Sequence, residues 1–219
     1  MPITKPFDQN IREYEQWFVE NRYVYRSEIA AVRHFLPSKG LRLEIGVGSG
    51  QFAKPLQIPY GIDPSENMLL LAQQKGIVVI KSVAEFLPFK NNVFDFVVMV
   101  TTVCFVDGVN DSFQEAKRIL KPNGKFLVGI IDKNSPLGQI YQTKKHENVF
   151  YRLATFYSTE EIISLLEQNK FKNLEIVQTV FGRLAEIKVR QLFKKGHGEG
   201  GFVVIRAEAA KFDILANRH

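Results

Sequence analysis

Short apolar runs of strand length alternate with stretches of helical periodicity from Leu41 to Asp132, and this alternation limits the fold more than any other feature of the chain. Residues 41–45, 60–62, 77–80, 94–100 and 125–131 are rich in β-branched and aromatic side chains and end at Gly, Asp or Asn. Residues 65–75, after the turn Asp63-Pro64-Ser65, and 111–120, with Phe113, Ala116 and Leu120 on one face, read as helices between them. Strands joined through helices need crossover connections. These are right-handed and lay helices on both faces of a parallel sheet.

The flanks complete the expected architecture. Residues 1–40 read as two amphipathic helices, the first carrying Tyr14, Trp17 and Phe18 and the second Ile29, Val32, Phe35 and Leu36, stopped by Pro37 and Gly40. They are expected to form an N-terminal helical lid. Residues 133–157 form a more polar insertion holding Tyr141, Phe150, Tyr151, Phe156 and Tyr157. In 158–219, Ser158 and Glu161 make a capping box ahead of a helix with Ile162, Leu165 and Leu166. Two more strands, 174–177 and 202–205, raise the expected total to seven. The Gly-rich run 196–201 before the last strand reads as a mobile hairpin. All 219 residues fit one domain, large enough to bury about 70% of its unfolded surface, with 41–132 as its core.

Composition removes several function classes. No apolar run approaches the ~20 residues that span a bilayer and residues 1–10 lack a signal-peptide core, so a cytoplasmic protein without membrane attachment is expected. The single cysteine, Cys104, cannot close an internal disulfide or supply a thiolate cluster, and the four His show no paired spacing, so no metal is expected. Twenty-nine basic against 23 acidic residues leave +6, but the charge is scattered, which argues against a nucleic-acid partner.

Chemistry concentrates in Leu43-Glu44-Ile45-Gly46-Val47-Gly48-Ser49-Gly50, a strand that runs into a glycine turn ahead of a helix beginning near Gln51. Such a turn lets a ligand approach backbone amides, with partial positive charge from the helix N-terminus behind them. Asp63 ends the second strand. At the carboxyl end of neighbouring strands an acid can accept from both ribose hydroxyls, although it can also cap the next helix. A dinucleotide fingerprint counted from Gly46 needs glycine where the chain has Gln51.

The pattern Glu-x-Gly-x-Gly-x-Gly resembles the first motif of class I S-adenosylmethionine-dependent methyltransferases. The likeness continues in order through Gly61-Ile62-Asp63-Pro64-Ser65-Glu66-Asn67-Met68, Ala84-Glu85-Phe86-Leu87-Pro88-Phe89, Phe94-Asp95-Phe96-Val97-Val98 and Leu120-Lys121-Pro122-Asn123-Gly124-Lys125, over about residues 41–132. The small-molecule, ubiquinone/menaquinone-biosynthesis-like branch is most similar. The resemblance implies a Rossmann-like, doubly wound, mostly parallel seven-stranded α/β sheet and S-adenosylmethionine as cofactor. It also implies cofactor contacts from Glu44 at the methionine end, Gly46, Gly48, Gly50, Asp63 at the ribose, Pro64, Met68, Ala84, Glu85 and Thr101. Val83 stands where family members commonly place an acid for the adenine amino group.

The exit of the fourth strand, Thr101-Thr102-Val103-Cys104-Phe105, is expected beside the methyl group and lacks the Asn-Pro-Pro-Tyr sequence associated with exocyclic base nitrogens. Cys104 reads as a buried thiol rather than a nucleophile, and none of His34, His146 and His197 stands out as a base. Tyr14, Trp17, Tyr25, Thr102, Phe105 and Tyr141 are candidate acceptor contacts, and closure of the aromatic set over the crevice would admit only a small acceptor. Without a dedicated base a small amine is favoured, because it can bind with its lone pair already free. An RNA or protein methyltransferase, or a non-catalytic S-adenosylmethionine-binding protein, are the alternatives.

Overall fold

A computed structural model describes residues 3–210; residues 1–2 of the expected lid and 211–219 of the expected C-terminal segment lie outside it. In chain order the elements are α1 Lys5–Gln9, α2 Ile11–Glu20, α3 Arg22–His34, β1 Arg42–Ile45, α4 Ala53–Leu56, β2 Tyr60–Asp63, α5 Glu66–Gln74 and β3 Val78–Lys81. Then follow β4 Phe94–Val100, α6 Val109–Ile119, β5 Leu120–Ile131, α7 Pro136–Thr143, α8 Thr159–Gln168, β6 Phe171–Thr179, β7 Lys194–Lys195 and β8 Phe202–Ala209.

One sheet runs β3-β2-β1-β4-β5-β8-β6-β7. The first five of these strands are parallel, with Leu43 of β1 opposite Tyr60 of β2 and Val97 of β4. Strand β8 enters antiparallel between β5 and β6. Alternate side chains of each strand serve different layers, as the two-residue period requires. Val97 and Met99 of β4 join Phe113 of α6 and Ile162 and Leu166 of α8 in one core. Val98 and Val100 join Ala31 and Val32 of α3, Ala53 of α4 and Ala72 of α5 in the other.

Four expectations change. The sheet has eight strands, because the two-residue β7 forms within the basic stretch and pairs with β6. Residues 196–201 are not a hairpin: the strands on either side do not pair with each other, and Glu199 and Gly200 donate their N–H groups to the buried Gln178 Oε1 at 2.8 and 2.7 Å. The helix expected from near Gln51 is a single helical turn, α4, that ends at Gln57 in the left-handed region, so little dipole stands behind the glycine turn. The N-terminal segment holds three helices, separated at Asn10 and Asn21, whose amides donate to Pro6 O at 2.7 Å and Trp17 O at 3.1 Å.

Candidate active site

Strand β1 has neighbours that diverge: β2 continues to one side and β4 starts the other half of the sheet. At such a switch point the carboxyl ends open a crevice. Here it is a cavity of about 230 Å³ between the glycine turn, the end of β2 and the β4 exit.

Gly46, Gly48, Asp63, Pro64, Met68, Ala84, Glu85 and Thr101 all line it. Gly48 has φ +51°, and a Cβ there would stand 3.0 Å from the Tyr14 hydroxyl, so a side chain would narrow the cavity just where the turn faces it. Asp63 Oδ2 accepts the Gly48 N–H and Oδ1 the Ser65 N–H, both at 2.9 Å. The cap of α5 is Ser65, whose Oγ accepts from Met68 N–H at 3.1 Å, so Asp63 is not consumed as the helix cap. Burial pushes the Asp63 carboxyl up to about 6 against the pull of its two N–H donors. Val83 forms part of the wall, and Glu85 Oε1 accepts from Gly108 N–H at 2.9 Å, which ties the wall to the start of α6.

Three expected contacts lie behind the wall. Glu44 is 1% exposed and its Oε2 has no partner among the described residues. Burial, then the neighbouring Asp63, hold its carboxyl well above the usual range. Gly50 turns away, and a Cβ on it would run into Ile77 and Ala72; it packs α5 against the turn. Tyr25 points its hydroxyl at Gln51 O.

At the exit of β4, Thr101 takes φ +49°, a strained conformation for a β-branched residue. Thr102 Oγ1 donates to Val100 O at 3.0 Å and stands over Gly46, where a Cβ would collide with it. The two ends of the switch point are thus locked together. Desolvation raises the Cys104 thiol to about 12, and Cys104 does not line this cavity, so it is no nucleophile for it. None of His34, His146 and His197 lines it either.

Aromatic rings roof the cavity. Phe7 of α1 meets Tyr14 of α2 at 5.8 Å, Phe105 at 5.1 Å and Phe150 of the insertion at 5.4 Å. Tyr14 meets Phe18 at 5.2 Å, and Tyr151 meets Phe105 at 5.8 Å and Tyr141 at 5.0 Å. Trp17 completes the lining. Sequence reasoning missed Phe7 and Glu28, which also line the cavity. Glu28 lies on α3, among charged and polar neighbours in the sequence, and only the packing of α3 turns it inward. Among the described residues no three His, Cys, Asp or Glu gather as a metal site, and no helix is long and apolar enough to cross a membrane.

The residues present fit S-adenosylmethionine: Gly48 puts no side chain into the cavity, and Asp63, which holds the Gly48 N–H, stands on the wall with lone pairs to spare. Residues 43–128 match the methyltransferase domain family. An uncharacterized protein of Methanocaldococcus jannaschii is 45% identical over 202 residues, 92% of this chain and 98% of that one. The crystal structure of a SAM-dependent methyltransferase of Thermotoga maritima, a possible histamine N-methyltransferase, is 45% identical, with a TM-score of 0.91 over 94% of this chain and 98% of that one. A 2-phytyl-1,4-naphtoquinone methyltransferase of Trichormus variabilis is 32% identical over 117 residues, 46% of this chain and 50% of that one.

Proposed function

This chain belongs to the class I S-adenosylmethionine-dependent methyltransferases, and from that premise we propose that it methylates a small molecule, a small amine before a phenol or quinol, inside the roofed cavity. The observation that carries the reading is the contact of α1 and α2 with the insertion through Phe7, Tyr14 and Phe150, which roofs the cavity.

When bound, the cofactor supplies a methyl group on a positively charged sulfur. In this reading Asp63 accepts from the ribose hydroxyls, and Met68, Val83 and Ala84 supply apolar contact to the adenine. Thr101 and Thr102 hold the β4 exit against the glycine turn, so that the acceptor side and the cofactor side keep a fixed spacing. The aromatic roof, acting as a lid, excludes water. An amine that binds with its lone pair free needs no dedicated base, which supports a nitrogen acceptor. The possible histamine N-methyltransferase of T. maritima supports the same choice. The ubiquinone/menaquinone-like branch is the second reading, supported by the partial likeness to the naphthoquinone methyltransferase. The scattered positive charge supports an enzyme without a nucleic-acid partner.

Methyl-labelled S-adenosylmethionine offered with separate pools of amines, phenols, quinols and RNA tests this. The expected label appears in the amine pool. Label in RNA, or none in any pool despite saturated cofactor binding, contradicts it.

A further inference from the structure

Four acidic side chains line the cavity, Glu13, Glu28, Asp63 and Glu85, and among the described lining residues there is no Lys or Arg. Glu13 is exposed at the rim. Asp63 and Glu85 accept backbone N–H groups. Glu28 differs from all three: it is 6% exposed, and no hydrogen bond or ion pair reaches it from the described residues. Its neighbours across the cavity are Tyr141 of α7 and Tyr151 of the insertion, with Tyr25 on its own helix, and all three hydroxyls respond to its charge. Trp17 shares the wall.

We propose that Glu28 is the anchor for the positive charge of the methyl acceptor, so that the enzyme takes amines that bind as ammonium or imidazolium ions and rejects neutral and anionic molecules of the same shape. The inference rests on the small-molecule methyltransferase reading and deepens it. A buried carboxylate without a partner is costly, and a cation entering the cavity removes that cost by pairing with it. The rings around it favour the same sign, because aromatic faces attract cations. A carboxylate or phosphate acceptor meets only like charge, and a neutral one leaves Glu28 unpaired. Burial raises the carboxyl to about 8, as expected where nothing compensates it before the ligand arrives. The role is one of binding and positioning: an ammonium nitrogen has no lone pair, so a nitrogen held by Glu28 takes the methyl only after its proton has passed to the carboxylate, whereas a second, neutral nitrogen of the acceptor takes it directly.

Calorimetry on the full chain saturated with S-adenosylhomocysteine tests the proposal. Phenethylamine, cyclohexylmethylamine and butylamine are titrated beside the alcohol and the carboxylate of each skeleton. At least one amine should bind about tenfold or more tightly than its alcohol, with the carboxylates weakest. Glu28→Gln should erase that preference, Glu28→Asp should retain part of it, and S-adenosylhomocysteine affinity should stay within about twofold in both variants. No amine preference in the wild type, or a preference that survives Glu28→Gln, overturns the proposal. Methylation of neutral acceptors alone, with S-adenosylhomocysteine still bound, defeats the Glu28 anchor while the methyltransferase reading stands. Failure of the wild type to bind S-adenosylhomocysteine defeats that reading first.

Discussion

Asp63 holds two backbone N–H groups and still faces the cavity, so its charge serves the turn and the ligand together. Asp63→Ala removes the acceptor for both ribose hydroxyls and should weaken S-adenosylmethionine binding by roughly a hundredfold or more. It also strands the Gly48 and Ser65 N–H groups, at about 1–3 kcal/mol of stability, so the fold should survive. Calorimetry with unchanged affinity would remove Asp63 from the site. The wild-type pH dependence follows from the same carboxyl. With its proton affinity raised to about 6, Asp63 is ionised at neutral pH and becomes protonated as pH falls through that value. Cofactor affinity should therefore drop between about pH 7 and pH 5, and Asp63→Asn should lack that step. The cavity positions of Asp63, Gly48 and Met68 were legible because a glycine turn and a strand-ending acid before a helix mark the edge of a crevice. Glu28 was not: an acid on an amphipathic helix reads as solvated, and only the contacts of α3 with β6 and β8 turn it inward. Gly50 lies off the cavity against Ile77 and Ala72: glycine in a turn can serve a ligand or a neighbouring helix, and the sequence does not say which.

Among the elements, the N-terminal helices separate by what they bury. α3 buries Val24, Ala31 and Val32 against the sheet and is core. α2 buries no residue and α1 only Pro6. These two are held at the surface of the site by polar ties: Glu15 accepts from Ser49 Oγ, from Gln51 Nε2 at 2.8 Å and from Lys75 Nζ at 3.3 Å, and Asp8 accepts from Ser65 Oγ. On the reading of these helices as a lid they are separable from the fold, although Trp17 and Phe18 of α2 also pack against the core. Deleting residues 1–20 should leave a folded protein that loses acceptor turnover at least about tenfold, with a smaller loss of cofactor affinity. In the intact chain Trp17 emission should shift when cofactor binds. A truncated protein that fails to fold, together with silent Trp17 emission, would make α1 and α2 core. The parallel strands were readable as apolar runs bounded by turn residues, whereas β7 was not, because Lys194-Lys195 has no strand chemistry and pairs only because β6 offers it an edge. The break at Asn21 matches the boundary between the two expected helices, whereas the break at Asn10 was hidden.

At the scale of the molecule, the sheet order alone decides where chemistry occurs. The divergence of β2 and β4 from β1 creates the crevice, Thr102 against Gly46 fixes its two edges, and the insertion after β5 returns to meet α1 and α2 above it. The cofactor half was readable because it lies within one continuous stretch, 41–132. The aromatic roof is assembled from 7–28 and 105–151, segments far apart in sequence whose meeting is a property of the fold. The most direct test is a crystal structure of the protein with S-adenosylhomocysteine and an amine that it binds. The account requires the ribose hydroxyls on Asp63, the adenine against Val83 and Ala84, and the ammonium at Glu28 beneath Trp17 and Tyr141. A cofactor bound away from the glycine turn, or an amine seated outside the roof formed by Phe7, Tyr14 and Phe150, would contradict it.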